Sequence, residues 1–253
     1  MIILFMFVIS TMLRAVFTDP GIIPRASNAE IVEYRRMRKK AKTQEEKKCL
    51  KERVINIDGC DLTLNYCTTC RIFRPPRASH CRVCDNCVLN FDHHCPWIGT
   101  CVGARNYRFF YLFIVFVAIA DFFSVICICF QFYLVMVEKD GSFLDSLFEI
   151  PVSVVLILPF IASFIAVMFM IFEQTPMVLK GITGHEDYKS TFIRSKNPFD
   201  EGSSFKNLKK ALCSPGPPSL MDRRGRVLPG EPYICIDYKI LEKVSKIKQT
   251  TKV

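Results

Sequence analysis

Residues 67–101 crowd together ten side chains that could ligate a metal or act as a nucleophile and its base. They run Cys67-x2-Cys70, then His80-Cys81-x2-Cys84-x2-Cys87, then Asp92-His93-His94-Cys95, then Cys101. Zinc takes four sulfur or nitrogen ligands in a tetrahedron, and a Cys-x-x-Cys turn offers two thiolates to one ion. Two closed sites would use eight of the ten, leaving two over. A purely structural module has no need of a spare cysteine and histidine side by side.

The surplus points to Cys95, flanked by His94 and Pro96, with Asp92 and His93 just upstream. A carboxylate that orients an imidazole that activates a thiol is the logic of a nucleophilic triad. A protonated imidazole nearby also favours the thiolate, which is the reactive species. Spacing alone does not say which of His93 and His94 ligates zinc. It also leaves open the blander reading, in which all ten serve metal sites or core.

The rest of the chain must position this segment. The 253 residues carry a formal charge of +10, yet half are hydrophobic and the mean hydropathy is +0.22, so long apolar runs are expected. Thirteen cysteines, seven of them at 67–101, do not suit a secreted disulfide scaffold, which would be smaller and lack such runs. Reduced thiols facing the cytosol are expected instead. The basic balance could serve nucleic acid or an anionic membrane, and the apolar runs decide for membrane. A nucleic-acid-binding finger is disfavoured, because the recognition-helix spacing of the Cys2His2 type is missing.

Three apolar stretches organise the chain. Residues 1–17 are broken only by Ser10, Thr11 and Arg14; residues 109–137 only by Asp121, Ser124 and Gln131; residues 150–172 hold no charge. Between residues 25 and 53 there are eleven Lys/Arg against five Glu, and the loop 138–149 has four acids against Lys139 alone. The positive-inside rule then predicts a lumenal N-terminus and three spans. The expected organisation is a span at 1–18, a basic cytosolic linker at 19–65, a cysteine-rich zinc domain at 66–107, a span at 108–137, a lumenal loop at 138–149, a span at 150–172 and a cytosolic tail at 173–253. Asp19-Pro20-Gly21 should end the first helix, residues 28–53 should form one charged helix touching anionic lipid, and residues 243–253 should fray. The fold class is mainly α, a multi-pass transmembrane helical bundle with a small two-zinc cysteine-rich cytosolic module. Asp121 and Gln131 inside a span read as interhelical hydrogen-bonding groups, and Trp97 as packed on the zinc platform or placed at the membrane interface.

The run from Cys67 to Cys101, with Asp92-His93-His94-Cys95-Pro96-Trp97 at its heart, resembles the DHHC cysteine-rich domain of protein S-palmitoyltransferases. Asp19-Pro20-Gly21, Asn197-Pro198-Phe199 and CSPGPPSLMDRRG at 213–225 support it; the last is similar to the tail of the Golgi-associated subgroup linked to Ras-type substrates. The resemblance implies one zinc on Cys67, Cys70, His80 and Cys87, and another on Cys81, Cys84, His94 and Cys101. It implies a catalytic set of Cys95 (acyl carrier), His93 (base, then acid) and Asp92 (orienting group). Arg74 and Arg77 lie where the family carries basic residues for the phosphates of acyl-CoA, and Asn197 and Asn207 in a tail segment that packs near the site. The implied partners are palmitoyl-CoA, membrane-associated proteins with juxtamembrane cysteines and the bilayer; the sequence leaves open whether an accessory subunit is needed. The implied location is the Golgi or endoplasmic reticulum membrane, with the site facing the cytosol.

Three departures from the family's pattern stand out. Four spans are usual, whereas three are read here, with the expectation that a first span has been lost to a truncated gene model or alternative start. Thr100 stands where many members have Asn, and Thr183-Gly184-His185-Glu186 replaces Thr-Thr-x-Glu. The missing span supports the competing expectation of a membrane-anchored zinc adaptor or inactive pseudoenzyme; the intact Asp92-His93-His94-Cys95 supports catalysis.

Overall fold

A computed structural model describes residues 2–139, 143–193 and 195–221. Its first element, α1 (Ile2–Phe17), has 16 residues. At 1.5 Å per residue it is ~24 Å long, short of the ~30 Å of a bilayer's hydrocarbon. After it come β1 (Ile22–Ile23), α2 (Asn28–Lys40) and α3 (Gln44–Cys49). Residues 28–53 are therefore not one helix. Thr43 starts α3 with a capping box, its hydroxyl accepting from the Glu46 N–H while the Glu46 carboxylate accepts from the Thr43 N–H. That exchange satisfies the first-turn donors of a new helix, and so the chain breaks there.

The cysteine-rich region is built on short strands: β2 (Glu52–Ile57), β3 (Cys60–Cys67), β4 (Ile72–Phe73), β5 (Ser79–Cys81), β6 (Asn86–Val88), β7 (His93–Cys95) and β8 (Thr100–Val102). They form sheets in the orders β2-β3-β4, β1-β6-β5 and β7-β8. The β2–β3 hairpin turns at Asp58 (φ 47°) and Gly59 (φ 80°), the left-handed pair that an Asp-Gly dipeptide adopts with little strain. The buried residues of this region are few and rich in cysteine: Ile23, Cys67, Cys70, Ile72, Cys87 and Leu89 in one cluster, Cys81, Val88, Phe91 and Cys101 in the next. Cores this small do not hold a fold without cross-links.

Two long helices follow: α4 (Tyr107–Lys139), and, after the short α5 (Phe143–Glu149), α6 (Pro151–Lys180). Among the described residues, α4 and α6 are long and apolar enough to cross a membrane, whereas α1 falls below that length. Both α1 and α6 pack on α4. Within α4, Asp121 is buried, and Gln131 accepts a hydrogen bond from Ser153 on α6 at 2.7 Å. Helix α6 starts with proline in its first turn and ends on Gly181 (φ 66°), the usual left-handed stop. It also runs eight residues past the expected end at 172, through Gln174, and this extension reaches the cysteine-rich module. α7 (Gly184–Tyr188) and α8 (Ser204–Cys213) complete the elements. The expectations for residues 243–253 and for the end of the 213–225 motif lie outside the described residues.

One buried side chain ties the layers together. Asn106, fully buried, accepts from the Gly103 N–H at 2.9 Å and donates to the carbonyls of Ala15 (3.1 Å) and Cys101 (2.9 Å). It thus joins the end of α1 to β8 at the start of α4. The Asp19-Pro20-Gly21 turn is fastened as well: Asp19 Oδ1 accepts from the N–H groups of Gly21 and Ile22, and its Oδ2 accepts from the Ser219 hydroxyl at 2.6 Å. Arg105 donates to the Pro217 carbonyl, so residues 215–220 lie back against that turn.

Candidate functional site

Cys-x-x-Cys turns and hairpin strands gather eight ligand atoms into two tight groups. Cys67, Cys70, His80 and Cys87 form one, and Cys81, Cys84, His94 and Cys101 the other; within each, all ligand atoms lie within 4.8 Å of one another. His80 Nδ1 is 3.4 Å from Cys70 Sγ and 3.8 Å from Cys87 Sγ. His94 Nδ1 is 3.7, 3.3 and 3.8 Å from the sulfurs of Cys81, Cys84 and Cys101. A tetrahedral ion with bonds of ~2.3 Å to sulfur and ~2.1 Å to nitrogen places its ligands roughly 3.5–3.8 Å apart. The two Cys3His sets fit two structural zinc ions. Close packing of the thiols sets them against one another: the hydrogen bond between Cys70 and Cys87 draws the Cys70 thiol down and pushes the Cys87 thiol up. A divalent cation stabilises all the thiolates at once. The far side of His80 faces the exposed Asp85, with Nε2 3.7 Å from Oδ1, while Nδ1 points toward the sulfurs.

The side chains left over from these sets come together beside them. On β7 successive residues face opposite ways, so His94 turns to the second sulfur set while His93 and Cys95 share the other face. Asp92, 2 % exposed at its side chain, lies with Oδ2 2.7 Å from His93 Nδ1. Burial alone would lower the His93 pKa, but hydrogen bonds with Asp92 and Cys95 outweigh it and hold the imidazole at about 9. Burial would likewise raise the Cys95 thiol, yet the His93 hydrogen bond and the N–H groups of Ile98 and Trp97 bring it below its ordinary value. Those two donors come from the β7–β8 turn that follows Cys95, so a tight hairpin supplies part of the stabilisation. The arrangement suits an ion pair of imidazolium and thiolate.

The surroundings of Cys95 are apolar. It is 2 % exposed and belongs to a cluster with Ala15 of α1, Phe110, Tyr111 and Ile114 of α4, and Val178 of α6. The Phe110 ring meets His93 edge-on, with centroids 5.2 Å apart. Trp97 does not pack on the platform; it projects outward, 87 % exposed. Thr100 pairs with Cys95 across the hairpin.

Asp92 is anchored by residues that the spacing argument did not single out. The Gly184 N–H donates to Oδ1 at 2.6 Å, and Gln174 Nε2 donates to Oδ2 at 3.4 Å. A Cβ on residue 184 would stand 3.1 Å from Asp92 Oδ2, so glycine allows this close backbone approach. Gln174 sits in the polar run just after the apolar stretch, where the sequence reads as tail.

The two arginines differ. Arg77 is turned inward: its Nε and Nη2 clamp the Glu186 carboxylate at 2.9 and 2.7 Å, Nη2 also reaches the Gly181 carbonyl, and the guanidinium lies over Phe199. Glu186 is itself the capping residue of α7, accepting from the Thr183 N–H at 2.8 Å. Among the described residues the Arg74 side chain makes one long bond, to the Asn65 carbonyl, and its charge, after burial, helps to lower the pKa of Lys189. In the tail, Asn197 donates to the Lys180 carbonyl and Asn207 to that of Leu179, closing off the end of α6.

Comparison with known proteins adds to this geometry. The family profile described as DHHC palmitoyltransferase matches residues 62–191. The chain is 39% identical to palmitoyltransferase ZDHHC18 of Mus musculus over 231 residues, covering 89% of this chain and 60% of that protein. It is 40% identical to palmitoyltransferase ZDHHC14 of Mus musculus over 248 residues (91% and 48%), and 41% identical to palmitoyltransferase ZDHHC9 of Pongo abelii over 237 residues (90% and 64%). The chain thus spans less than two thirds of the length of these curated relatives.

Proposed function

Because the chain belongs to the DHHC palmitoyltransferase family, we propose that it is a membrane-embedded protein S-acyltransferase with Cys95 as acyl carrier. The observation that carries this reading is the Asp92–His93 hydrogen bond beside Cys95, which shares a face of β7 with His93, all three being residues that remain after two zinc sets are filled. The Cys95 thiolate attacks the thioester carbonyl of a long-chain acyl-CoA. As the carbon–sulfur bond to CoA breaks, the CoA thiolate takes the proton that His93 accepted from Cys95. A substrate cysteine then gives its proton to His93 and attacks the Cys95 thioester, and the regenerated thiolate of Cys95 leaves. Thioester exchange is nearly isoenergetic, so the protein's work is positioning. The zinc ions would act only as cross-links that hold the β7–β8 hairpin.

The acyl chain would lie along the apolar cluster around Cys95, where each buried CH2 contributes ~0.8 kcal/mol. Arg74 is the better placed of the two arginines for the phosphates of CoA, since Arg77 is engaged with Glu186. In this reading α4 and α6 cross the membrane with α1 packed on α4 as a shorter membrane helix, the zinc module and tail face the cytosol, the exposed Trp97 lies at the bilayer interface, and the substrates are membrane-associated proteins with juxtamembrane cysteines. The membrane is that of the Golgi or endoplasmic reticulum.

The test is to incubate the purified chain with palmitoyl-CoA and assay for a hydroxylamine-sensitive thioester. Cys95→Ser should abolish it and keep both zinc ions. Full labelling of that variant would refute the assignment.

A further inference from the structure

Oδ2 of Asp92 carries two interactions: it faces His93 Nδ1 at 2.7 Å and accepts from Gln174 Nε2 at 3.4 Å. A glutamine amide can present either its oxygen or its nitrogen, and an oxygen turned toward Asp92 would repel the carboxylate. Here the choice is made by α4. The Tyr107 hydroxyl, in that helix's first turn, donates to Gln174 Oε1 at 2.9 Å, which leaves the NH2 group for Asp92. One turn further along, the Tyr111 hydroxyl lies 2.8 Å from Thr175 Oγ1, so the two helices are in register at this level.

We infer that Gln174 is a positioning residue for the Asp92–His93 pair, with its amide set by Tyr107. The packing of α6 on α4 thereby decides how well the imidazole is aimed at Cys95. This rests on the reading of Cys95 as acyl carrier. Without the amide, Asp92 keeps the Gly184 bond at Oδ1 but loses the donor that restrains Oδ2. The loss falls on the rate of the chemical step, because Gln174 acts through Asp92.

The experiment follows thioester formation on Cys95 in the purified full chain over a range of palmitoyl-CoA concentrations. Gln174→Leu should slow acylation at saturation roughly tenfold, the loss expected for one hydrogen bond to a charged group, with KM and zinc content unchanged. Gln174→Glu keeps the size and the Tyr107 partner but sets a second carboxylate against Asp92, and should be at least as slow. Tyr107→Phe, which frees the amide to flip, should fall between wild type and Gln174→Leu. In an Asp92→Ala background, Gln174→Leu should cause no further loss. A wild-type rate in Gln174→Leu, zinc lost in step with rate, or an equal loss in the Asp92→Ala background would each overturn the inference. A wild-type chain that forms no thioester on Cys95 would overturn the underlying reading instead.

Discussion

His93 and His94 are neighbours in the chain with opposite surroundings, one against Asp92 and the other among three sulfurs. His94→Ala should lower zinc from two ions per chain to about one, by metal analysis. His93→Ala should keep both ions and slow Cys95 acylation by roughly 100-fold or more, as for loss of a general base. The arginines separate in the same way. Arg74→Ala should raise KM for palmitoyl-CoA at unchanged stability. Arg77→Ala strands Glu186, whose side chain is 8 % exposed, and should cost about 3 kcal/mol in an unfolding titration, with KM unaffected. A raised KM without lost stability in Arg77→Ala would return that residue to the CoA site. At this scale the sequence was informative about residue type and less so about partners. By resemblance Arg77 reads as a partner of the phosphates of acyl-CoA, and nothing in its local sequence points to Glu186, 109 positions away, which the fold sets beside it.

Elements deliver these residues through their ends. The β7–β8 turn aims two N–H groups at Cys95, and the C-terminal end of α6 brings Gln174 and then Gly184 to Asp92. The end of α6 depends on Asn207, buried, which donates to the Leu179 carbonyl and to Asp200 Oδ1 and accepts from the Glu201 N–H. Asn207→Ala should destabilise the chain by about 2 kcal/mol, and because it loosens the segment holding Asp92, acylation should slow as well. Unchanged thermal unfolding and rate in that variant would remove Asn207 from this role. Some of this was legible in sequence. The Asp58-Gly59 hairpin and the Thr43 capping box had local signals that the dense run of charge obscured. The reach of α6 past residue 172 had none, because a polar turn at a helix end resembles the start of a tail.

For the whole molecule, the helices and the zinc module depend on different forces. α4 and α6 have continuous apolar surfaces, whereas half of the residues in the module's two small buried clusters are cysteines. A strong chelator should therefore release two zinc ions per chain and expose residues 52–102 to protease before α4 and α6 are cut. If cleavage of the helices came first, the module would not be the metal-dependent part. Sequence alone determined the ten candidate ligands, the expectation that two tetrahedral sites would leave two of them over, the apolar runs and the charge asymmetry, since tetrahedral coordination and hydrocarbon thickness constrain residue type and spacing directly. Only the tertiary structure decided that Gln174, Gly184 and Tyr107 converge on Asp92, that Arg77 belongs to Glu186, and that Asn106 joins α1 to the hairpin. Those choices depend on hydrogen bonds between residues up to 109 positions apart. Local sequence carries no record of such partners, because a buried polar group is satisfied by whatever the packing brings to it.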